Sequence, residues 1–235
     1  RTSQYPRDFG GWTLPGFAPS LCQNGGKRAL MNMQQSWTEG ARRMAAGAIP
    51  VVIAEPEGPV QGTVLLVHGR TGAPGQAQIA EIALAYLARG WRVAAPELPN
   101  SIALPESGPS DQVTFSGHTS AAMAVWHWLA AEFPGAPLAL AGHSIGAYAI
   151  AHLAAATPGT HHVLAVSPPM SGMVLLNARQ AMGPAAIDAV RAEAPLFLAE
   201  MPTADATQAL RSITAPLAVV TGASDGLVRL ADARA

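Results

Sequence analysis

From Pro50 onward the chain alternates short apolar runs with longer Ala-rich windows whose apolar positions recur at helical spacing. The runs IPVVIAEP (49–56), GTVLLVHG (62–69), WRVAAPEL (91–98), PLALAG (137–142), HHVLAVSPP (161–169) and PLAVVTGASD (216–225) are bounded by Gly, Pro, Asp or Asn and predict strands. Between them, QAQIAEIALAYLARG (76–90) places Ile79, Ile82, Ala83, Tyr86 and Leu87 on one helical face and ends at Gly90. HTSAAMAVWHWLAAEF (118–133) predicts a second helix, with Thr119 or Ser120 as its N-cap. Trp126 and Trp128 are two apart on that helix and do not share one face, so at least one belongs to the core.

Strands alternating with helices are the signature of βαβ units on a parallel sheet. The Met-rich, Pro-punctuated helical stretch 170–210 breaks the alternation and reads as a small cap inserted into one core domain, residues 31–235. Its four methionines, Met170, Met173, Met182 and Met201, suit either an adaptable acyl pocket or ordinary packing. Residues 1–30 are rich in Gly and Pro, lack a period and hold the single Cys (Cys22) and the single Lys (Lys27), so they are expected to be a leader outside the fold. The closing GLVRLADARA reads as the first turns of a helix. The expected fold class is therefore α/β, a mostly parallel sheet flanked by helices with a small helical cap, truncated at the C-terminus.

Composition narrows the function classes. Charged residues are 12% and hydrophobic ones 49% of 235, with a net charge of −1, so nothing calls for a polyanionic partner such as nucleic acid. One cysteine excludes an internal disulfide framework and a multi-cysteine metal site. The N-terminus lacks a signal-peptide layout, and no stretch has the unbroken apolar length of a membrane span. The expectation is a soluble, cytoplasmic, bacterial protein, the last from the strong excess of Arg over Lys.

The apolar stretch LALAGHSIGAYAIAHLAAA (138–156) carries Gly142, His143, Ser144 and Gly146 at its middle. A buried strand to Gly142 and a helix from Ile145 would meet at the pattern G-x-S-x-G. In such a corner the serine sits on a strained turn, and the glycines on either side leave room for the close approach of strand and helix. The hydroxyl then projects above the sheet at the positive end of the helix dipole.

Two further motifs, LLVHGRTG (65–72) and SITAPLAVVTGASDGLV (212–228), complete a pattern that resembles the α/β-hydrolase fold family over roughly residues 45 to 235. The resemblance implies that Ser144 is a nucleophile and Asp225 the acid of a catalytic triad. It implies an oxyanion hole built from the backbone N–H groups of Arg70 and Ile145, with His68 and Gly69 as the supporting loop and Gly142 and Gly146 as elbow glycines. No cofactor and no metal is implied. In that family a histidine follows the acid, yet the seven histidines here, His68, His118, His127, His143, His152, His161 and His162, all precede Asp225. The catalytic histidine is thus expected C-terminal to the given chain, and the fragment alone is expected to be inactive, since serine without a proton acceptor is a poor nucleophile.

The implied activity is cleavage of a small-molecule carboxylic ester or thioester through an acyl-enzyme on Ser144. A dienelactone-hydrolase-like enzyme, in which Cys typically stands where Ser144 does, or an acyltransferase on the same fold is the alternative. From another class, a non-catalytic binding protein without a general base is also compatible with these residues. Only the backbone of Arg70 is required; its side chain is expected in solvent at the pocket rim, the sharper alternative being a clamp on a substrate carboxylate or phosphate. His68 is expected to be a structural hydrogen-bonder, and His143 is assigned no chemistry. His161 and His162, as adjacent strand positions, should face opposite ways, which argues against a shared metal ion.

Overall fold

The computed structural model describes residues 37–233. The expected leader 1–30, with Cys22 and Lys27, lies outside the described residues. Seven strands form one sheet: β1 (Arg42–Ala46), β2 (Ile49–Ala54), β3 (Gly62–Val67), β4 (Trp91–Pro96), β5 (Leu138–His143), β6 (Val163–Val166) and β7 (Leu217–Val220). They lie in the order β1-β2-β4-β3-β5-β6-β7. The pairings from β4 through β7 are parallel, with Leu65 opposite Ala94 and Leu140, while β1–β2 and β2–β4 are antiparallel.

The continuous apolar run of β3 follows from burial on both faces. Leu65 and Val67 join one core with Val51, Ile53, Leu140 and the helices α2 (Phe115–Glu132) and α3 (Ile145–Ala156). Val64 and Leu66 point the other way, into a core with Val52, Val93, Ala139 and helix α1 (Ala77–Leu87). All six residues of β3 are buried, as a central parallel strand requires.

Four short helices occupy the stretch between β6 and β7: α4 (Gly172–Met182), α5 (Pro184–Glu193), α6 (Pro195–Glu200) and α7 (Thr207–Ser212). Buried residues of this stretch, Leu175, Val190, Phe197 and Met201, pack with Phe115, Ile145 and Tyr148 in a third cluster. A last turn, α8 (Leu230–Ala233), follows β7. Among the described residues no helix is long and apolar enough to cross a membrane.

Three local expectations need correction. β1 was not anticipated: RRMAA has no apolar alternation, and it is a strand because Arg42 to Ala46 pair along β2, with Arg43 ion-paired to Glu97. Helix α2 begins at Phe115, not after Thr119, because the Thr114 hydroxyl accepts from Gly117 N–H at 2.9 Å and caps it there. His161 and His162 precede β6 in irregular backbone, so their rings do not diverge; their Nδ1 atoms lie 2.8 Å apart, and the Tyr86 hydroxyl bonds His162 Nε2 at 2.9 Å. Trp126 is buried, and Trp128 packs at the margin of the same core.

Strand β7 is distinctive. Leu217, Val219 and Val220 are 39%, 43% and 52% exposed, so both the edge and much of the apolar surface of this strand face outward.

Candidate active site

The C-terminal ends of β3, β5 and β6 converge with the start of α3. Ser144 occupies the corner between β5 and α3, at φ 56° and ψ −126°. Positive φ is unusual for a residue with a side chain and stores strain of about 1–3 kcal/mol. Ser144 N–H donates to Val166 O at 2.9 Å, and its own carbonyl takes the first α3 bond, from Ala147 N–H at 2.8 Å. The corner is locked at both ends.

The neighbouring glycines are there because nothing larger fits. A Cβ on Gly146 would stand 2.2 Å from Val67 O, and one on Gly142 would stand 2.5 Å from Gly146 O. Both obstacles are backbone atoms and would not give way cheaply. Gly69 approaches the serine itself: a Cβ there would lie 3.6 Å from Ser144 Oγ.

Arg70 and Ile145 flank the same space. Both line a cleft of about 110 Å³ with Gly69, His143, Ser144 and Arg179. Neither the Arg70 N–H nor the Ile145 N–H is engaged by a backbone carbonyl in the turns and helix ends around it. Ile145 is the first residue of α3, where N–H groups have no partner within the helix. Two free donors beside a hydroxyl can receive an oxygen that gains negative charge.

His68 is buried beneath this loop. Its Nδ1–H donates to Gly69 O at 2.7 Å and its Nε2 accepts from Leu98 N–H at 3.1 Å. Both ring nitrogens are used, and burial lowers its pKa to about 4, so the ring is neutral and structural. His118, on α2, donates from Nε2 to His68 O at 2.8 Å, and burial lowers its pKa to about 3.

Asp225 lies on the loop after β7, partly exposed. Its Oδ1 accepts from Leu227 N–H and Val228 N–H, each at 2.9 Å. Burial alone would raise its pKa, but these bonds, the Ser167 hydroxyl and the facing His143 together hold it below the ordinary carboxylate value. Ser167, just after β6, has φ 47°, so the loops after adjacent strands carry two strained serines. Asp225 does not line the cleft, whereas Leu227 does. Among the described residues no histidine ring is hydrogen-bonded to Asp225 or Ser144.

The Arg70 side chain is not in solvent. It is 13% exposed, ion-paired to Glu193 at the end of α5, with its guanidinium carbon 5.4 Å from the Phe197 ring centre. Arg179 of α4 and Gln76 and Gln78 also line the cleft. Sequence reasoning passed over these three, and over Ser167, because none sits in a recognisable spacing. Among the described residues no methionine lines the cleft: Met201 is fully buried, and Met173 and Met182 are exposed. A larger groove, about 1290 Å³, lies around Trp37, Glu55 and Trp91, and the described residues that line it include no serine or histidine.

No family model matches the chain, and no curated protein matches it in sequence. Solved structures do match. An α/β serine hydrolase without lid from Xanthomonas campestris superimposes with TM-score 0.59 at 19% identity, over 83% of this chain and 75% of that one. Est1E from Butyrivibrio proteoclasticus with ferulic acid bound gives 0.63 at 15% identity, over 81% and 82%. A Pyrococcus furiosus esterase gives 0.60 at 18% identity, over 83% and 74%. The chain has the α/β-hydrolase fold. In an α/β-hydrolase fold the ends of the parallel strands carry the variable loops, and here those ends hold Ser144, Arg70 and Asp225. Among the described residues no group of three or more His, Cys, Asp or Glu side chains is arranged to hold a metal.

Proposed function

We propose that this protein is a serine hydrolase that cleaves a carboxylic ester or thioester by way of an acyl-enzyme on Ser144. The observation that carries the reading is the strained Ser144 corner, φ 56°, set in a cleft with the unengaged N–H groups of Arg70 and Ile145. Strain of this kind is kept where the surroundings over-determine it, and it aims the hydroxyl into the cleft.

In this mechanism Ser144 Oγ attacks the acyl carbon as a base removes its proton. The carbonyl oxygen becomes an oxyanion between the two N–H groups, each worth about 3 kcal/mol of barrier. Collapse expels the alcohol or thiol, which takes the proton back from the base, and water repeats the sequence to release the acid. Asp225 would orient that base and stabilise it when charged. The base itself is assigned to a histidine C-terminal to Asp225. Among the described histidines, His68 has both ring nitrogens engaged, His118 is buried against the His68 carbonyl, His161 and His162 are tied to each other and to Tyr86, and His143, though it lines the cleft, makes no hydrogen bond to Ser144 or Asp225.

A fluorophosphonate probe tests the reading, because it reacts only with an activated serine. Labelling of Ser144 in the intact protein, lost in Ser144→Ala and kept in His143→Gln, is the expected result. A folded protein that takes no label at Ser144 overturns it and favours a binding protein that keeps the cleft without a base.

A further inference from the structure

Two arginines, Arg70 and Arg179, line the cleft beside Ser144, and the described residues that line it include no carboxylate. Arg70 reaches in from the loop after β3 and is ion-paired to Glu193. Arg179, from the third turn of α4, lines the same cleft and is half-buried. Its one hydrogen bond is a long one, 3.5 Å, to Leu175 O in its own helix. Among the described residues no carboxylate stands within ion-pair distance of it. Burial first, and then repulsion from Arg70, lower its pKa, with Glu193 only partly offsetting them. A guanidinium nevertheless stays protonated at neutral pH. The cleft therefore carries one positive charge in excess, partly stripped of water and unpaired.

A partly buried unpaired cation is unfavourable until something neutralises it. An oxyanion can do so, because the planar guanidinium fork matches carboxylate and phosphate oxygens in a bidentate arrangement. The apolar part of such a ligand has Leu175 and Phe197 to pack on, in the same cleft.

We propose that this cleft is an oxyanion subsite: Arg179 pairs with a carboxylate or phosphate on the substrate, while the charge of Arg70, in the same cleft, is offset by Glu193, which competes with the anion. The identity of that ligand as a substrate rests on the Ser144 reading; the binding of an anion does not. The substrate class is then a small ester or thioester that carries a second, ionised group.

The test is equilibrium binding by calorimetry on the intact protein, with succinate, its neutral isostere succinamide, and inorganic phosphate as probes. Succinate or phosphate is expected to bind at least about tenfold more tightly than succinamide, the ratio expected for one charge-assisted pair. The tighter of the two anions names the class. Arg179→Met should bring succinate and succinamide to within about twofold, and Arg179→Lys should keep part of the preference, since it keeps the charge and loses the fork. Glu193→Gln should tighten anion binding by about fivefold, because it removes the competing carboxylate and leaves the side-chain volume unchanged. A circular-dichroism melt of each variant checks that it is folded. Equal binding of succinate and succinamide, or anion binding that Glu193→Gln weakens, overturns the proposal. No turnover is needed, so a failure here leaves serine labelling unaffected, and a failure of labelling leaves this result standing.

Discussion

His118 donates its Nε2–H to the carbonyl oxygen of His68 at 2.8 Å, and the two rings meet edge to face with centroids 5.7 Å apart. That donation fixes the His118 tautomer and leaves its Nδ1 buried without a partner. Both rings are neutral in the fold, at pKa values of about 4 and about 3, against an ordinary 6.5.

A pH dependence follows from this pair. Below about pH 6.5 the unfolded chain takes up protons that the folded chain refuses, so stability is complete above that pH and is lost as pH falls toward 4. Each histidine contributes up to about 1.4 kcal/mol per pH unit within its window. His143, His152 and His162, whose pKa values burial also lowers, act in the same direction. Urea denaturation at about pH 7.5 and about pH 5 should show a clear loss of stability at the lower value. Equal midpoints would contradict the neutral, buried state of the pair.

The strain at Ser144 gives a second expectation. Ser144→Gly should remove the probe-reactive hydroxyl and yet raise stability by about 1 kcal/mol, because glycine accepts φ 56° without a Cβ clash. Ser144→Ala, which keeps the Cβ, should leave stability close to that of the parent. Denaturation midpoints of the two variants separate strain from the loss of the hydroxyl.

Gly146 sets a third. A methyl group added there would meet Val67 O at 2.2 Å and His68 O at 2.6 Å, both backbone atoms at the end of the central strand. Gly146→Ala should cost at least about 2 kcal/mol, since α3 must shift away from β3. Gly159→Ala, where no atom lies within 4 Å of the added carbon, is the control and should change little.

Helix α2 is held at its start by two separate groups. Thr114 caps Gly117 N–H, while the Glu200 carboxylate, at the end of α6, accepts from Phe115 N–H and Ser116 N–H. Thr114→Ala should cost about 1 kcal/mol. Glu200→Gln should cost about as much, because it removes a negative charge from a helix N-terminus and a tie between the insertion and the core. No loss for Glu200→Gln in chemical denaturation would show that this tie contributes nothing.

The sequence by itself determined the repeating architecture. Apolar runs such as Val64–Val67 and Leu138–Gly142 are local and bounded by turn residues, so six of the seven strands could be read directly. The strand-to-helix corner at Ser144 was equally local, because a tight turn demands glycine at fixed spacings. Tertiary structure decided what depends on a distant partner. β1 is a strand only because β2 pairs with it, and α2 starts at Phe115 only because Thr114 and Glu200 satisfy its first N–H groups. Arg70 is partly buried instead of solvated because Glu193, 123 residues away, returns to meet it. Periodicity and turn chemistry are written within a few residues of chain. The pairing of charges across a cleft depends on where the folded backbone brings them together.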